Sequence, residues 1–236
     1  RSTLAGITTG DSNVAIGLGA GQSATTTSEL TLIGNGAGNL LEGTNPNGTI
    51  AIGFRALQTH TTGERNIAIG WEAMHDTNAG STAQGSSDNI FMGYSAGGGT
   101  WADAASSRNV AIGNYSMDSA LNGASNNTAV GYHSLTSITT GDSNTAIGLQ
   151  SGYNVTTGEQ NVFLGVNAGY NATGSDSYGT AIGYNAGYQN RMASVVYVGR
   201  YAGYAGSGHI GAGNIAIGYH ALFTNRSTDE TGMKWN

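Results

Sequence analysis

The chain has 236 residues, eight basic and fourteen acidic side chains, a net charge of −6, and 40 Gly against one Pro and no Cys. The lack of Cys excludes disulfides and thiolate metal sites, and no apolar run is long enough for a membrane-spanning helix. One Lys and seven Arg supply too little positive charge to hold a phosphate backbone, so neither nucleic acid nor membrane insertion is expected.

Along the chain one short pattern recurs from end to end. A β-branched residue, a second residue, an aliphatic residue or Met, and a Gly appear together twelve times. The marker Gly falls at Gly17, Gly34, Gly53, Gly70, Gly93, Gly113, Gly131, Gly148, Gly165, Gly183, Gly199 and Gly218. Three residues before it stand Val14, Thr31, Ile50, Ile67, Ile90, Val110, Thr128, Thr145, Val162, Thr180, Val196 and Ile215. The residue two before it is Ala in eight repeats, with Leu32, Phe91, Phe163 and Tyr197 as exceptions. Four before it, eight repeats carry Asn; three after it, all twelve carry Ala or Ser. A looser Thr-Thr-Gly begins at Thr8, Thr61, Thr139 and Thr156.

Each tripeptide reads as a short strand of period two, closed by a Gly that tolerates positive φ. The small residue three further on fits a crowded inner corner, and stacked Asn side chains can bond from repeat to repeat. No apolar stripe of period 3.6 persists, and Ser116 to Leu121 is the only short helical candidate. A repeat of about 17 residues with one or two short strands, stacked twelve times, predicts an all-β, parallel β-solenoid of about twelve rungs.

Alternation assigns the residues three and one before each marker Gly to one face, and this face is expected to be the core. The residue between them is then expected to face outward. That row is Ala, Leu, Phe or Tyr and never charged, so Ala15, Leu32, Phe91, Phe163 and Tyr197 are the expected contacts between identical chains.

The segments that start at Asn13, Asn66, Asn109, Asn144 and Asn214, of the form Asn-x-Ala-Ile-Gly-x-x-Ala/Ser, resemble the head repeat of trimeric autotransporter adhesins (YadA-like). They are equally similar to repeats of many phage tail fibres. The resemblance covers nearly the whole chain and implies a left-handed parallel β-roll, three chains side by side. The repeats here are longer than the usual adhesin head repeat, and no neck or coiled-coil stalk pattern accompanies them. These departures favour a segment of a phage tail fibre.

Two motifs suggest chemistry. Gly93-Tyr94-Ser95-Ala96-Gly97 matches a nucleophile elbow, but Ser95 occupies a repeat slot that other rungs fill with Gly19, Asn167 or Asn185. Gly206-Ser207-Gly208-His209-Ile210-Gly211 matches a dinucleotide loop without the helix that would hold a pyrophosphate. His60, His75, His133, His209 and His220 are scattered, and none forms a paired metal motif. Asp229-Glu230 is the only adjacent acid pair, and Asp11 and Asp142 share a turn motif. No catalytic residue, metal or cofactor is therefore expected.

Aromatic columns are more informative. Five residues after the marker Gly stand Tyr153, Tyr170, Tyr188, Tyr204 and Phe223; directly after it stand Phe54, Trp71, Tyr94, Tyr132, Tyr184 and Tyr219. Such columns either stack between rungs or offer faces to sugar rings. The longest repeats carry insertions at 76–88 and 97–108, expected to protrude on one side. The solenoid is expected over 1–222, with 223–236 as a cap or tip that brings Lys234 and Trp235. Trp71, Trp101, Tyr188, Tyr204, Phe223, Lys234 and Trp235 are the candidate receptor-binding residues.

The expected function is that of a non-enzymatic, homotrimeric fibre on a virion. It would bind a host cell-surface glycan or protein and join other virion tail proteins. A bacterial adhesin head on the cell surface is the alternative, and a polysaccharide depolymerase fibre is the third reading.

Overall fold

In a computed structural model, which describes residues 3–41, 46–77, 85–189, 191–204 and 212–223, every marker Gly closes a three-residue strand. In chain order the strands are β1 Val14–Ile16, β2 Thr31–Ile33, β3 Ile50–Ile52, β4 Ile67–Ile69, β5 Ile90–Met92 and β6 Val110–Ile112. They continue as β7 Thr128–Val130, β8 Thr145–Ile147, β9 Val162–Leu164, β10 Thr180–Ile182, β11 Val196–Val198 and β12 Ile215–Ile217. All twelve lie in one parallel sheet in the order of the sequence. Register is strict: Ile67 pairs with Ile90, Ala68 with Phe91 and Ile69 with Met92, and the same slots pair at every step. The chain is thus an all-β parallel solenoid. Ser116 and Met117 lie in a turn, and no α-helix occurs among the described residues.

The marker Gly is required twice over. Its φ lies between +121° and +143° in all twelve repeats, a region closed to side chains. Its Cα also lies against the next rung: a Cβ on Gly165 would sit 2.7 Å from the Gly183 carbonyl oxygen, and one on Gly199 2.6 Å from that of Gly218. The Gly of each Thr-Thr-Gly makes a second such column. Gly10, Gly63, Gly141 and Gly158 lie hard against the backbone carbonyls of Thr27, Ser86, Gly158 and Asp176.

Three further slots per rung adopt the left-handed conformation, at five before, two after and four after the marker Gly. Arg65, Glu72 and Met74 show it in one rung; Asn126, His133 and Leu135 show it in another. Between the second and third of these slots the chain folds a tight corner, and the residue three after the marker is buried in eleven of twelve rungs.

Alternation places the faces opposite to the sequence expectation. The middle residue of each strand points inward: Leu32, Phe91, Phe163 and Tyr197 are fully buried, and Ala15 packs against the same core. These five residues are core and not a surface for other chains. The reason is volume. Only a narrow interior remains inside a rung of about 17 residues, so the inward residue is Ala unless space is made for it. Where it is large, the slot six residues on is Gly: Leu32 with Gly38, Phe91 with Gly97, Phe163 with Gly169, Tyr197 with Gly203. A Cβ on Gly97 would meet the Phe91 ring at 2.5 Å. Where the inward residue is Ala51, Ala68, Ala111 or Ala129, the same slot holds Leu57, Met74, Met117 or Leu135, all fully buried. In these rungs the two slots fill one volume between them; at Ala15 with Gly21, Ala146 with Gly152 and Ala181 with Gly187 both are small, and Leu4 and Leu32, Leu135 and Phe163, and Met192 and Tyr197 close in beside the Gly.

The Asn slot forms the expected ladder. From Asn66 through Asn89, Asn109, Asn127 and Asn144 to Asn161, each side chain is buried. Asn127 Nδ2 donates to Asn109 Oδ1 at 3.2 Å and to the Gly141 carbonyl at 2.8 Å, while Asn127 Oδ1 accepts from the Asn144 backbone N–H at 2.9 Å. Each amide thus bonds to the rungs before and after it, which satisfies polar groups that burial would otherwise penalise.

Candidate functional site

With the middle residues inside, the residues on either side of them face out. These 24 positions comprise 20 apolar residues and Thr31, Thr128, Thr145 and Thr180, without a charge. None is buried. Val14, Ile16, Ile112, Ile147, Val162, Leu164, Ile215 and Ile217 are exposed outright, Ile217 to 69%. Eleven strand steps make the strip about 50 Å long. Leu18, Trp71, Tyr94, Tyr132, Leu149, Tyr184 and Tyr219, directly after the marker Gly and so past the strand ends, are exposed as well.

The aromatic columns stack on themselves. Tyr153, Tyr170, Tyr188, Tyr204 and Phe223 follow one another with centroids 5.0, 5.0, 5.4 and 5.1 Å apart and interplanar angles of 21° or less. Tyr188, Tyr204 and Phe223 are therefore half-buried members of a stack, with at least one face of each ring taken by a neighbour. Trp71 is 49% exposed and stacks on Phe54 at 4.2 Å, with the Arg55 guanidinium 4.9 Å from the same Phe54 ring.

Trp101 is not available to a receptor. It is fully buried, lies edge-on to Phe91 at 5.6 Å, and donates from Nε1 to the Gly97 carbonyl at 3.0 Å. The 97–108 insertion consequently turns Trp101 inward to plug the core of a wide rung, where a protruding loop was expected; Thr100, Asp103 to Ala105 and Arg108 are its exposed residues. Of the 76–88 insertion, residues 78–84 lie outside the described residues, as do Lys234, Trp235, Asp229, Glu230 and the 206–211 motif.

Ser95 has φ +48°, the sharp backbone of an elbow. All eleven other rungs have the same left-handed slot, so the repeat accounts for it. His60 is the one buried His among the described residues. Its Nδ1 meets Thr77 Oγ1 at 3.0 Å, and Nε2 lies 3.1 Å from the Gly63 carbonyl and 3.2 Å from Asn66 Nδ2. Burial lowers its pKa to about 4, so it is neutral and terminates the Asn ladder. Asp118, half-buried, is raised to about 6 by desolvation. No group of three or more His, Cys, Asp or Glu that could hold a metal occurs among the described residues.

At the C-terminal end of the described stack, Tyr184, Arg200 and Tyr219 occupy the same slot on three successive rungs. The Arg200 guanidinium lies 5.7 Å from the Tyr184 ring, 5.8 Å from Tyr219 and 5.0 Å from Tyr201, the next residue. Sequence reasoning picked out both tyrosines and passed over Arg200, the sole cation in a slot otherwise filled by Leu, Val, Asn and aromatics.

Comparison with known proteins found no matching family model, no similar curated protein and no similar solved structure.

Proposed function

We propose that this chain is a non-enzymatic segment of a homotrimeric adhesive fibre, with the sheet faces of three copies turned towards one another. The observation that carries the proposal is the uncovered apolar face of the twelve-stranded sheet. Parallel sheets are stable with both faces covered, and here one face is covered by the chain's own coil. A second copy of the chain offers a surface of the same length and rung spacing. The number three and the placement on a phage tail rest on the resemblance of the Asn-x-Ala-Ile-Gly repeats to tail-fibre and adhesin-head repeats. In this reading the stack is a rigid spacer that presents receptor-binding groups to a host cell-surface glycan or protein and joins other virion tail proteins. The adhesin-head reading shares the architecture and differs in location, on a bacterial surface.

Sedimentation equilibrium tests the assembly. The expected mass is about 72 kDa, three chains of 23.9 kDa. Ile112→Glu with Ile147→Glu places two charges on the outward face and is expected to give folded monomers. A stable wild-type monomer overturns the proposal. New reducing ends from host polysaccharide favour the depolymerase reading instead.

A further inference from the structure

We propose that Tyr184, Arg200 and Tyr219 form a binding site for an acidic saccharide, which lies along the stack with its carboxylate or sulfate on Arg200. The site rests on the adhesive reading and gives its receptor a chemical class.

Arg200 differs from the other described arginines. Arg55 pairs with Glu72, Arg65 with Glu64 and Asp88, and Arg191 with the buried Asp176. Arg108 donates to Asn126 Oδ1 at 2.8 Å. Arg200 has no acidic partner among the described residues and is exposed. Its neighbours are the faces of Tyr184, Tyr201 and Tyr219. Ring faces hold a guanidinium in place without neutralising it. Its exposure leaves solvent access to the planar N–H fork that suits a carboxylate or sulfate.

The surroundings reinforce this charge. From Thr180 to Phe223 the sequence contains no Asp or Glu, although the chain as a whole carries −6. Among the described residues from Thr180 to Phe223, an anion at Arg200 therefore meets no opposing carboxylate. A second anion site is absent from the same slot, whose other members are uncharged. One guanidinium cannot hold a polyphosphate backbone, which requires several cations.

The aromatic part selects a sugar. Tyr184 is 44% and Tyr219 67% exposed; Tyr184 lies edge-on to Tyr201 at 5.4 Å, and Tyr219 rests one side on His220 at 4.0 Å, which leaves the rest of each ring open. An amphipathic pyranose face suits such rings, and their hydroxyls supply hydrogen bonds. Ring, cation and ring stand one rung apart, about 4.8 Å per step, close to the length of one pyranose unit. A linear glycan along the axis thus sets consecutive units on consecutive rungs, with an acidic unit in the middle.

The test uses the full chain and calorimetric titration with three matched hexasaccharides: one containing uronic acid, its carboxyl-reduced counterpart, and a sulfated analogue. The acidic probes are expected to bind, and carboxyl reduction is expected to weaken binding about tenfold or more. Comparison of uronate with sulfate identifies which acid is preferred. Arg200→Ala is expected to raise Kd about tenfold, Arg200→Lys less, and Tyr219→Ala several-fold. Equal affinity for the reduced sugar, wild-type affinity of Arg200→Ala, or no binding of either acid overturns the site. So does a change in assembly mass on Arg200→Ala, which would make this residue a contact between copies. A protein that stays trimeric and adheres to cells but ignores acidic sugars refutes the site alone; a monomer refutes the fibre.

Discussion

The glycine columns make a quantitative prediction because three positions separate the two reasons for Gly. At Gly165 both operate: φ is +132°, and a methyl carbon would meet the Gly183 carbonyl oxygen at 2.7 Å and its carbon at 2.8 Å. At Gly141 only the contact operates, against the carbonyl of Gly158, with no positive φ. At Gly218 only the backbone operates, with φ +121° and nothing within 4 Å. An alanine forced into such a φ costs about 1–3 kcal/mol, and overpacking against backbone costs about 1–3 kcal/mol. The neighbouring rung cannot retreat, because Gly165 N–H and Gly183 N–H each bond to the rung before at 2.8 Å. Gly165→Ala is therefore expected to cost about 3–5 kcal/mol, and Gly141→Ala and Gly218→Ala about 1–3 kcal/mol each. Denaturant unfolding monitored by circular dichroism, at one protein concentration, measures all three. The reasoning is refuted if Gly165→Ala lies within 1 kcal/mol of wild type, or if it is no more damaging than Gly218→Ala.

Three further outcomes are expected. Asn127→Ala leaves the Asn144 amide and the Gly141 carbonyl without their partners and is expected to lose about 2–4 kcal/mol in the same unfolding assay. Burial holds the folded pKa of His60 at about 4 against 6.5. Its contribution is fully present above pH 6.5 and is lost as pH falls towards 4, about 3 kcal/mol in all; stability curves of wild type and His60→Gln between pH 7 and 4 are expected to converge on acidification. Trp101→Ala empties the plug of the wide rung and is expected to cost about 3–5 kcal/mol, with no loss of adhesion beyond that set by the folded fraction, measured by thermal melts and cell-binding counts.

The strand positions are legible in the sequence because a period-two tripeptide closed by Gly recurs twelve times, and the Asn ladder is legible from one slot. The inner face is not, since alternation defines two faces and leaves open which one is inside. The deciding signal is the coupling between the middle strand residue and the slot six residues on, Leu32 with Gly38 against Ala51 with Leu57, which a slot-by-slot reading misses. Left-handed slots are concealed for a similar reason. Glu29, Arg55, Gln150 and Tyr178 occupy them, and such residues do not announce positive φ as Gly does. Trp101 was assigned to a loop by insertion length; its burial depends on the space that Gly97 leaves beside Phe91. The pairing of Arg200 with Tyr184 and Tyr219 follows from rung stacking and is visible only once the register is known.

The sheet order also determines how the stack carries force. Each strand bonds only to the strands one repeat before and one repeat after, and those bonds run along the stack axis. Tension applied at its two ends stretches each N–H···O bond along its own direction, so rungs part in succession and not in parallel. A parted rung releases about 17 residues, roughly 55 Å of slack, and the next rung then meets the same pull. Compression is resisted differently, by columns of backbone packed closely against the next rung at the eleven Gly markers before Gly218. A single stack is thus a stiff strut and a weak cable. Side chains seated across the outward sheet face would be loaded sideways over its whole length, so tensile strength depends on what lies against that face.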